Sequence, residues 1–493
     1  MVNVLAFDLG ASSGRAVLGQ LTQENGGLLT VIDTHRFPND PVRVHKRLHW
    51  DILRLLHEIK QALVQTRLQG HQQIASLGID AWGVDFGLLG RSGELLANPY
   101  HYRDGQTTGM LEEVDQIIAR GDLFARTGIQ FMAINTLYQL YALKKAGSLL
   151  LDQAETLLFI PELLRYFLTA ERRSEWTVAS TSQLCNPYSR TWDRELLAQL
   201  GLPAHIFLDP QEPGTHAGTL LPSVCEEVGI ASIPVIAVAE HDTASAVIAV
   251  PAEGADFAYL SCGTWSLIGT ETPQPVMNEQ ALALNITNEG GINGTTRLLK
   301  NITGLWLLQE CRRVWSNEGR LISYADESAH IAAAQPLQCF INPDDPMFVN
   351  PAHMPRQIQQ YCRQTGQCVP ENAGDVLRCI IDSLALQHRL VLERIEGLVQ
   401  KRFVGLHIVG GGAQNVALCQ CTANALGREV WAGPHEGTAI GNILVQCIAL
   451  CEIESVQHAR RIVRNSFPIK TYQPENADGW EKAYELFRQV TGQ

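Results

Sequence analysis

The 493-residue chain reads as an α/β protein of two lobes. Three observations predict this. Short apolar runs of strand length alternate with longer stretches whose apolar residues recur at helical spacing. A strand–tight turn–strand pattern at "VLAFDLGASSGR" (Val4–Arg15) returns in mid-chain as "DFAYLSCGTWSLIGT" (Asp256–Thr270). Between the two, "VPAEGAD" (Val250–Asp256) carries the Pro and Gly of a hinge, dividing the chain into lobes 1–250 and 251–493.

The elements follow in order. Residues 2–8, 14–21 and 28–37 predict three strands separated by Gly-rich turns. "WDILRLLHEIKQALVQTRL" (Trp50–Leu68) has an amphipathic helical period, with Asp51 near its start. "IASLGID" (Ile74–Asp80) and "GVDFGLLG" (Gly83–Gly90) return to strand character. Helical patterns follow around 107–120, 137–146 and 161–169. In the second half, helices are predicted near 302–314 and 374–402, a strand at Val404–Gly412, and a helix of small residues over about 438–451.

Composition excludes some functions. With 38 Lys+Arg against 51 Asp+Glu, the formal charge of -13 argues against nonspecific binding to nucleic acid or acidic membranes. An anionic substrate needs only a local cluster of donors and stays open. The amino terminus lacks a basic n-region, and no apolar run is long enough to span a bilayer, so a cytoplasmic protein is expected. The twelve cysteines include no C-x-x-C pair, which favours reduced, mostly buried thiols over a structural zinc site.

Asp8 ends a buried strand, where an unpartnered carboxylate is costly. It must be paired, neutralised or waiting for a cation. The turn beside it, Ala11, Ser12, Ser13 and Gly14, offers backbone N–H groups and hydroxyls suited to an anion. No base adjoins Asp8 in this reading, so it is placed to hold Mg²⁺ directly or through water, with Arg15 either adding a cation or facing solvent. The second bend, "SCGTWS" (Ser261–Ser266), repeats the scheme with Thr264. Two such bends suit a nucleoside triphosphate, and no G-x-x-x-x-G-K-[ST] loop occurs. "IVGGGAQN" (Ile408–Asn415) is a third glycine-rich turn, able to approach a nucleotide or simply to pack a strand on a helix. In "AVAEHDTASAV" (Ala237–Val247), Asp242 opens a helix of small residues. It is either a base for an alcohol nucleophile or, with Thr243, a cap. "GIDAWGVDF" (Gly78–Phe86) and "YHYRD" (Tyr100–Asp104) combine Asp80, Asp85, Trp82, His101 and Arg103, which is sugar-binding chemistry or plain scaffold.

Taken in order, "DLGASSGR", "GIDAWGVDF", "RTGIQFMAINTLYQL", "HDTASAVIA", "SCGTWSLIG", "NITNEGG", "KNITGLWLLQ", "HIVGGGAQN" and "GTAIGNI" resemble the FGGY carbohydrate kinases, of the actin/hexokinase/Hsp70-like ATPase superfamily. The resemblance covers almost the whole chain. It implies two ribonuclease-H-like lobes flanking a central cleft, sugar bound mainly by 1–250 and ATP mainly by 251–493. It also implies transfer of the γ-phosphoryl group to the 1-hydroxyl of L-rhamnulose with Mg²⁺, and lobe closure to exclude water. By position, Asp8 handles Mg²⁺, and Ala11, Ser12, Ser13, Gly14 and Arg15 form the first phosphate loop. Thr264, Gln309 and Gly411 belong to the ATP site. Gly83, His241, Asp242, Thr243 and Asn301 line the sugar site, with Asp242 the proton acceptor. One departure is Gln106, which stands where members often carry arginine after the "YRD" aspartate. The alternatives are an FGGY kinase for L-fuculose, xylulose or glycerol, a sugar sensor without catalysis, or a nonenzymatic ATP switch. Both monomer and homodimer fit the sequence.

Overall fold

A computed structural model of the protein describes residues 1–23 and 26–492. The chain forms two compact units, and both are discontinuous. The first comprises Met1–Glu253, Glu271–Leu298 and Gly437–Ser466; the second comprises Gly254–Thr270, Leu299–Glu436 and Phe467–Gln493. The hinge read at Val250–Asp256 thus contains the first crossing, at Glu253/Gly254, and the chain crosses back four more times.

The first unit is built on a six-stranded sheet. Its order is Thr215–Thr219, Pro234–Ala237, Ser76–Ala81, Val2–Leu9, Ser13–Thr22, Leu28–Pro38. Val2–Leu9, Ser76–Ala81 and Pro234–Ala237 run parallel, so their carboxyl ends lie on one edge. Residues 4–9 are all buried, which is why this strand, Asp8 apart, reads as an apolar run rather than an alternating one. The helix Ile52–Leu68 is capped by Asp51, whose side chain accepts the N–H of Arg54.

The helix Gly437–Ala449 returns to this unit and packs on the short helix Asp242–Ile248. Its small residues have a cause. A Cβ on Gly441 would stand 1.7 Å from the carbonyl oxygen of Ser245, so only glycine lets the two helices approach. On the sheet side, a Cβ on Gly78 would meet Val238 at 2.5 Å and Asn442 at 2.8 Å. The close approach brings the polar face of the helix under the sheet. Gln446 donates to the Leu5 carbonyl at 3.1 Å and accepts from Ser76 Oγ at 2.7 Å, and Asn442 donates to Asp80 Oδ2 at 2.6 Å.

The second unit repeats the plan. Ala258–Cys262 pairs antiparallel with Trp265–Thr272 and parallel with Gly405–Val409, which continues to Glu429–Ala432 and Lys470–Tyr472. Its longest helix is Ala373–Val399. Where one helix was predicted over 107–120, two short ones form, Met110–Asp115 and Arg120–Thr127. Thr296–Thr303 is a strand that the sequence reading missed. Six of its eight residues are buried and the other two half-buried, so no alternation marks it, and the helix near 302–314 starts later, at Trp306. No described helix is long and apolar enough to cross a membrane.

Candidate active site

The parallel strands of the first unit carry acids at their shared edge. Asp8 and Asp80 are register partners near the ends of Val2–Leu9 and Ser76–Ala81. Ala81 forms an isolated bridge with His241, which brings Asp242 to the same edge. Carboxyl ends of parallel strands are where α/β sheets bind ligands.

The hairpin corrects one expectation directly. Asp8 does have an adjacent base: antiparallel register sets Arg15 opposite it, and Arg15 Nε and Nη2 donate to Asp8 Oδ2 at 2.8 and 2.5 Å. Arg15 therefore turns onto Asp8 rather than into solvent, at 22% side-chain exposure. The bend closes with Gly10 N–H on the Ser13 carbonyl, braced by Asn39, and leaves Ser12 and Ser13 exposed at its tip.

Asp80 is the acid whose place in this group the sequence reading missed. It is fully buried, and its Oδ1 has no hydrogen-bond partner among the described residues. Burial holds its carboxyl well above the usual range. The charges of Asp8 and Asp242 push the same way, while the Asn442 hydrogen bond and Arg15 pull back.

Asp242 is the first residue of Asp242–Ile248, and the N-cap position is His241. So Asp242 is not the helix cap that the sequence left open. Its Oδ1 accepts from Thr243 N–H at 2.5 Å and Thr243 Oγ1 at 3.1 Å, and lies 3.4 Å from His241 Nε2. Oδ2 takes no hydrogen bond among the described residues, and the side chain is 28% exposed while those of His241 and Thr243 are buried. Its carboxyl is held above the ordinary value. Desolvation is the largest cause and the Asp8 charge adds to it; His241 and the Thr243 hydrogen bonds oppose both.

The backbone behind this acid is fixed by a buried network. His241 N–H donates to Thr177 Oγ1 at 3.2 Å, and Thr177 Oγ1 donates to Glu175 Oε2 at 2.6 Å. Glu240 is paired with Arg165 at 2.7 Å, both fully buried. Gly83 lies in the bend just beyond the strand Ser76–Ala81, where a Cβ would meet Thr181 Oγ1 at 2.9 Å. The next residue, Val84, sits at φ 66°, a left-handed conformation costing a β-branched residue about 1–3 kcal/mol. Thr181 Oγ1, accepting from Val84 N–H, and Thr136, donating to the Val84 carbonyl, hold it there.

Asp85 is fully buried and braces the scaffold. Trp50 Nε1, Trp82 Nε1 and Tyr102 N–H converge on Oδ2 at 2.6, 3.0 and 3.1 Å, and Gln139 donates to Oδ1 at 2.8 Å. His101 stacks on Trp50, and burial drives its imidazole down to about 3. With Gln106 in place of arginine, Asp104 finds its cation elsewhere. It accepts from Arg47 at 3.0 Å, from Leu48 N–H and from the N–H of Gln106 itself.

The remaining candidates lie in the second unit. Thr264 sits at the second hairpin's tip, its Oγ1 donating to Gln309 Oε1 at 3.3 Å, and the carbonyl of Gly263 accepts Leu305 N–H. Gly304 is required there, since a Cβ would stand 2.6 Å from the carbonyl carbon of Trp265. Asn301 lies on the strand Thr296–Thr303. Gly411 opens the turn after Gly405–Val409, and a Cβ on it would meet nothing within 4 Å.

Comparison with known proteins agrees with this architecture. Residues 3–249 match the N-terminal domain of the FGGY family of carbohydrate kinases, and 258–450 match its C-terminal domain. A rhamnulokinase of Bacteroides thetaiotaomicron is 45% identical over 99% of both chains. One of Oceanobacillus iheyensis is 40% identical over 96% of this chain and 99% of its own. Among solved structures, a ligand-bound xylulose kinase from Lactobacillus acidophilus superposes with a TM-score of 0.81 at 16% identity, covering 99% of this chain and 98% of that one. Plasmodium falciparum glycerol kinase with ADP superposes with a TM-score of 0.78 at 14% identity, covering 99% and 98%. The two-unit α/β architecture, the two family matches and the full-length relatives agree, and the chain belongs to the FGGY family of carbohydrate kinases.

Proposed function

We propose that the protein transfers the γ-phosphoryl group of ATP to the 1-hydroxyl of L-rhamnulose, giving ADP and L-rhamnulose 1-phosphate, with Asp242 as proton acceptor. The observation that carries the chemistry is the asymmetry of Asp242. Its Oδ1 is occupied by donors, whereas Oδ2 takes none among the described residues and the side chain is partly exposed. A carboxylate held above its usual range by burial is a better base for an alcohol. As the substrate oxygen bonds to phosphorus, its proton passes to Asp242, the bond from phosphorus to the β–γ bridging oxygen breaks, and ADP departs.

Gly83, His241, Thr243 and Asn301 are assigned to the sugar. Ala11, Ser12, Ser13 and Gly14, with Thr264, Gln309 and Gly411, are assigned to ATP. Arg15 fixes Asp8 beside the phosphate bend. Mg²⁺ fits the acids at this edge: the unsatisfied, buried Asp80 Oδ1 suits a hard cation or its water, and Asp8 stands next to it. Once bound, the ion neutralises charge on the phosphate oxygens.

The choice of L-rhamnulose rests on the full-length rhamnulokinase relatives, at 40–45% identity. ADP release measured with MgATP over L-rhamnulose, L-fuculose, xylulose and glycerol tests it. A clear preference for L-rhamnulose is expected, and a preference for another acceptor overturns the substrate assignment.

A further inference from the structure

All twelve cysteines are free, and three of them converge. Cys339, Cys362 and Cys379 are buried in the second unit, and their Sγ atoms all lie within 4.8 Å of one another. Each comes from a different segment. Cys339 lies between the helices Tyr324–Ala333 and Met354–Gln364, Cys362 on the second of these, and Cys379 on Ala373–Val399. That separation is why no cysteine spacing in the sequence shows the group.

The backbone around each sulfur is tied in place. Three side chains of Ala373–Val399 hold the segment of Cys339. Leu337 N–H donates to Asp382 Oδ2 at 2.7 Å, Ile341 N–H donates to Ser383 Oγ at 2.9 Å, and Gln387 Nε2 donates to Asp344 Oδ2 at 3.0 Å. Ser383 Oγ donates in turn to the Cys379 carbonyl at 2.6 Å. Gln367 clamps the other side. Its Oε1 accepts Phe340 N–H and its Nε2 donates to the Phe340 carbonyl, both at 2.8 Å, and its own N–H donates to the Cys362 carbonyl at 2.9 Å. Ligands held this way lose little freedom when an ion binds.

Thiols that only fill space have no need to converge, and a disulfide uses two sulfurs, not three. A metal bonded to sulfur at about 2.3 Å sets its sulfurs about 3.8–4.0 Å apart, so sulfurs already within 4.8 Å need to close by no more than about 1 Å. Thiolates select soft or borderline ions over Mg²⁺. Among these, a divalent ion leaves one negative charge in the buried site where Cu⁺ would leave two, and buried charge is costly. We propose that Cys339, Cys362 and Cys379 form a structural site for Zn²⁺. On binding, the three thiols release their protons to solvent, three Zn–S bonds form, and no electron is transferred. The fourth zinc position stays open to water. The ion ties together three segments, one of which carries Asp344, whose Oδ1 accepts Thr303 N–H at 2.8 Å.

The test uses the full-length protein, reduced and stripped with a chelator, and Cd²⁺ as a spectroscopic substitute for Zn²⁺. A thiolate-to-cadmium charge-transfer band is expected to saturate at one ion per chain and to be displaced by Zn²⁺. Cys379→Ser should weaken Cd²⁺ binding by more than about a hundredfold. Cys368→Ser and Cys451→Ser, which alter the two exposed thiols, should leave it unchanged. Zn²⁺ should also raise the unfolding midpoint of the wild type and not that of Cys379→Ser. The proposal is overturned by a band that does not saturate, that survives in Cys379→Ser or that is lost with either exposed thiol. A wild-type midpoint unmoved by Zn²⁺, or a disulfide between two of the three in protein purified without oxidant, overturns it equally. If Cys379→Ser does not fold, ¹¹³Cd NMR of the wild type decides, because the shift reports how many sulfurs bind: three supports the site and fewer contradicts it.

Discussion

Asp8 and Asp80 stand side by side in parallel register, and Arg15 is hydrogen-bonded to Asp8 while Asp80 Oδ1 is left without a hydrogen bond among the described residues. Under the proposed placement of Mg²⁺ at this edge, the unbonded oxygen of Asp80 is the one left to meet the ion or its water. Asp80→Asn should therefore raise the Mg²⁺ concentration for half-maximal activity by about tenfold or more. A titration of activity against Mg²⁺ checks this, and superimposable curves for variant and wild type would contradict it.

Gly441 sets the distance between the helix of Asp242 and the helix of Asn442. Gly441→Ala places a methyl 1.7 Å from the Ser245 carbonyl oxygen, and that neighbour is backbone. The expected loss is at least about 1–3 kcal/mol, read as a lower midpoint in denaturant. Wild-type stability in the variant would mean that the helices can separate without cost.

Asp85 predicts a pH dependence of stability. Burial pushes its carboxyl from 3.8 up to about 7, against opposing hydrogen bonds from Trp50, Gln139, Trp82 and Tyr102 N–H. The folded protein therefore retains a proton that the unfolded chain releases. This contribution to stability is complete below the unfolded value and is lost as pH rises towards 7, by up to about 1.4 kcal/mol per pH unit within that window. Asp85→Asn removes the ionisation. Unfolding free energies measured between these limits should fall less steeply with pH in the variant, and parallel slopes would contradict the assignment.

Gly411 separates a ligand role from a structural one. Its missing Cβ faces open space, so Gly411→Val should leave the unfolding midpoint unchanged. If the nucleotide lies against this turn, the KM for ATP should rise by about tenfold or more. An unchanged KM for ATP would move the nucleotide away from Gly411.

Much of the scaffold was legible in the sequence because its signals are local. Apolar runs and glycine bends give the strands Val2–Leu9, Ser13–Thr22 and Ala258–Cys262. The pairing of Asp8 with Arg15 was also available locally, since a bend between the two strands puts these residues opposite each other. What stayed hidden depends on distant register. Asp80 joins Asp8 only through parallel pairing, Asn442 reaches Asp80 across 362 positions, and Arg297 meets His241 across 56. Asp85 stayed open between sugar contact and scaffold because its donors, Trp50, Tyr102 and Gln139, arrive from three other segments. Similarly, the twelve cysteines had no readable motif, yet folding brings the sulfurs of Cys339, Cys362 and Cys379 within 4.8 Å of one another.

The most direct test of the whole account is single-turnover phosphorylation of L-rhamnulose by Asp242→Asn, with ATP binding measured on the same preparation. Removing the proton acceptor should slow the chemical step by at least about a hundredfold while ATP affinity stays near wild type. Turnover close to wild type would show that another group takes the hydroxyl proton, and the assignment of Asp242 would fall.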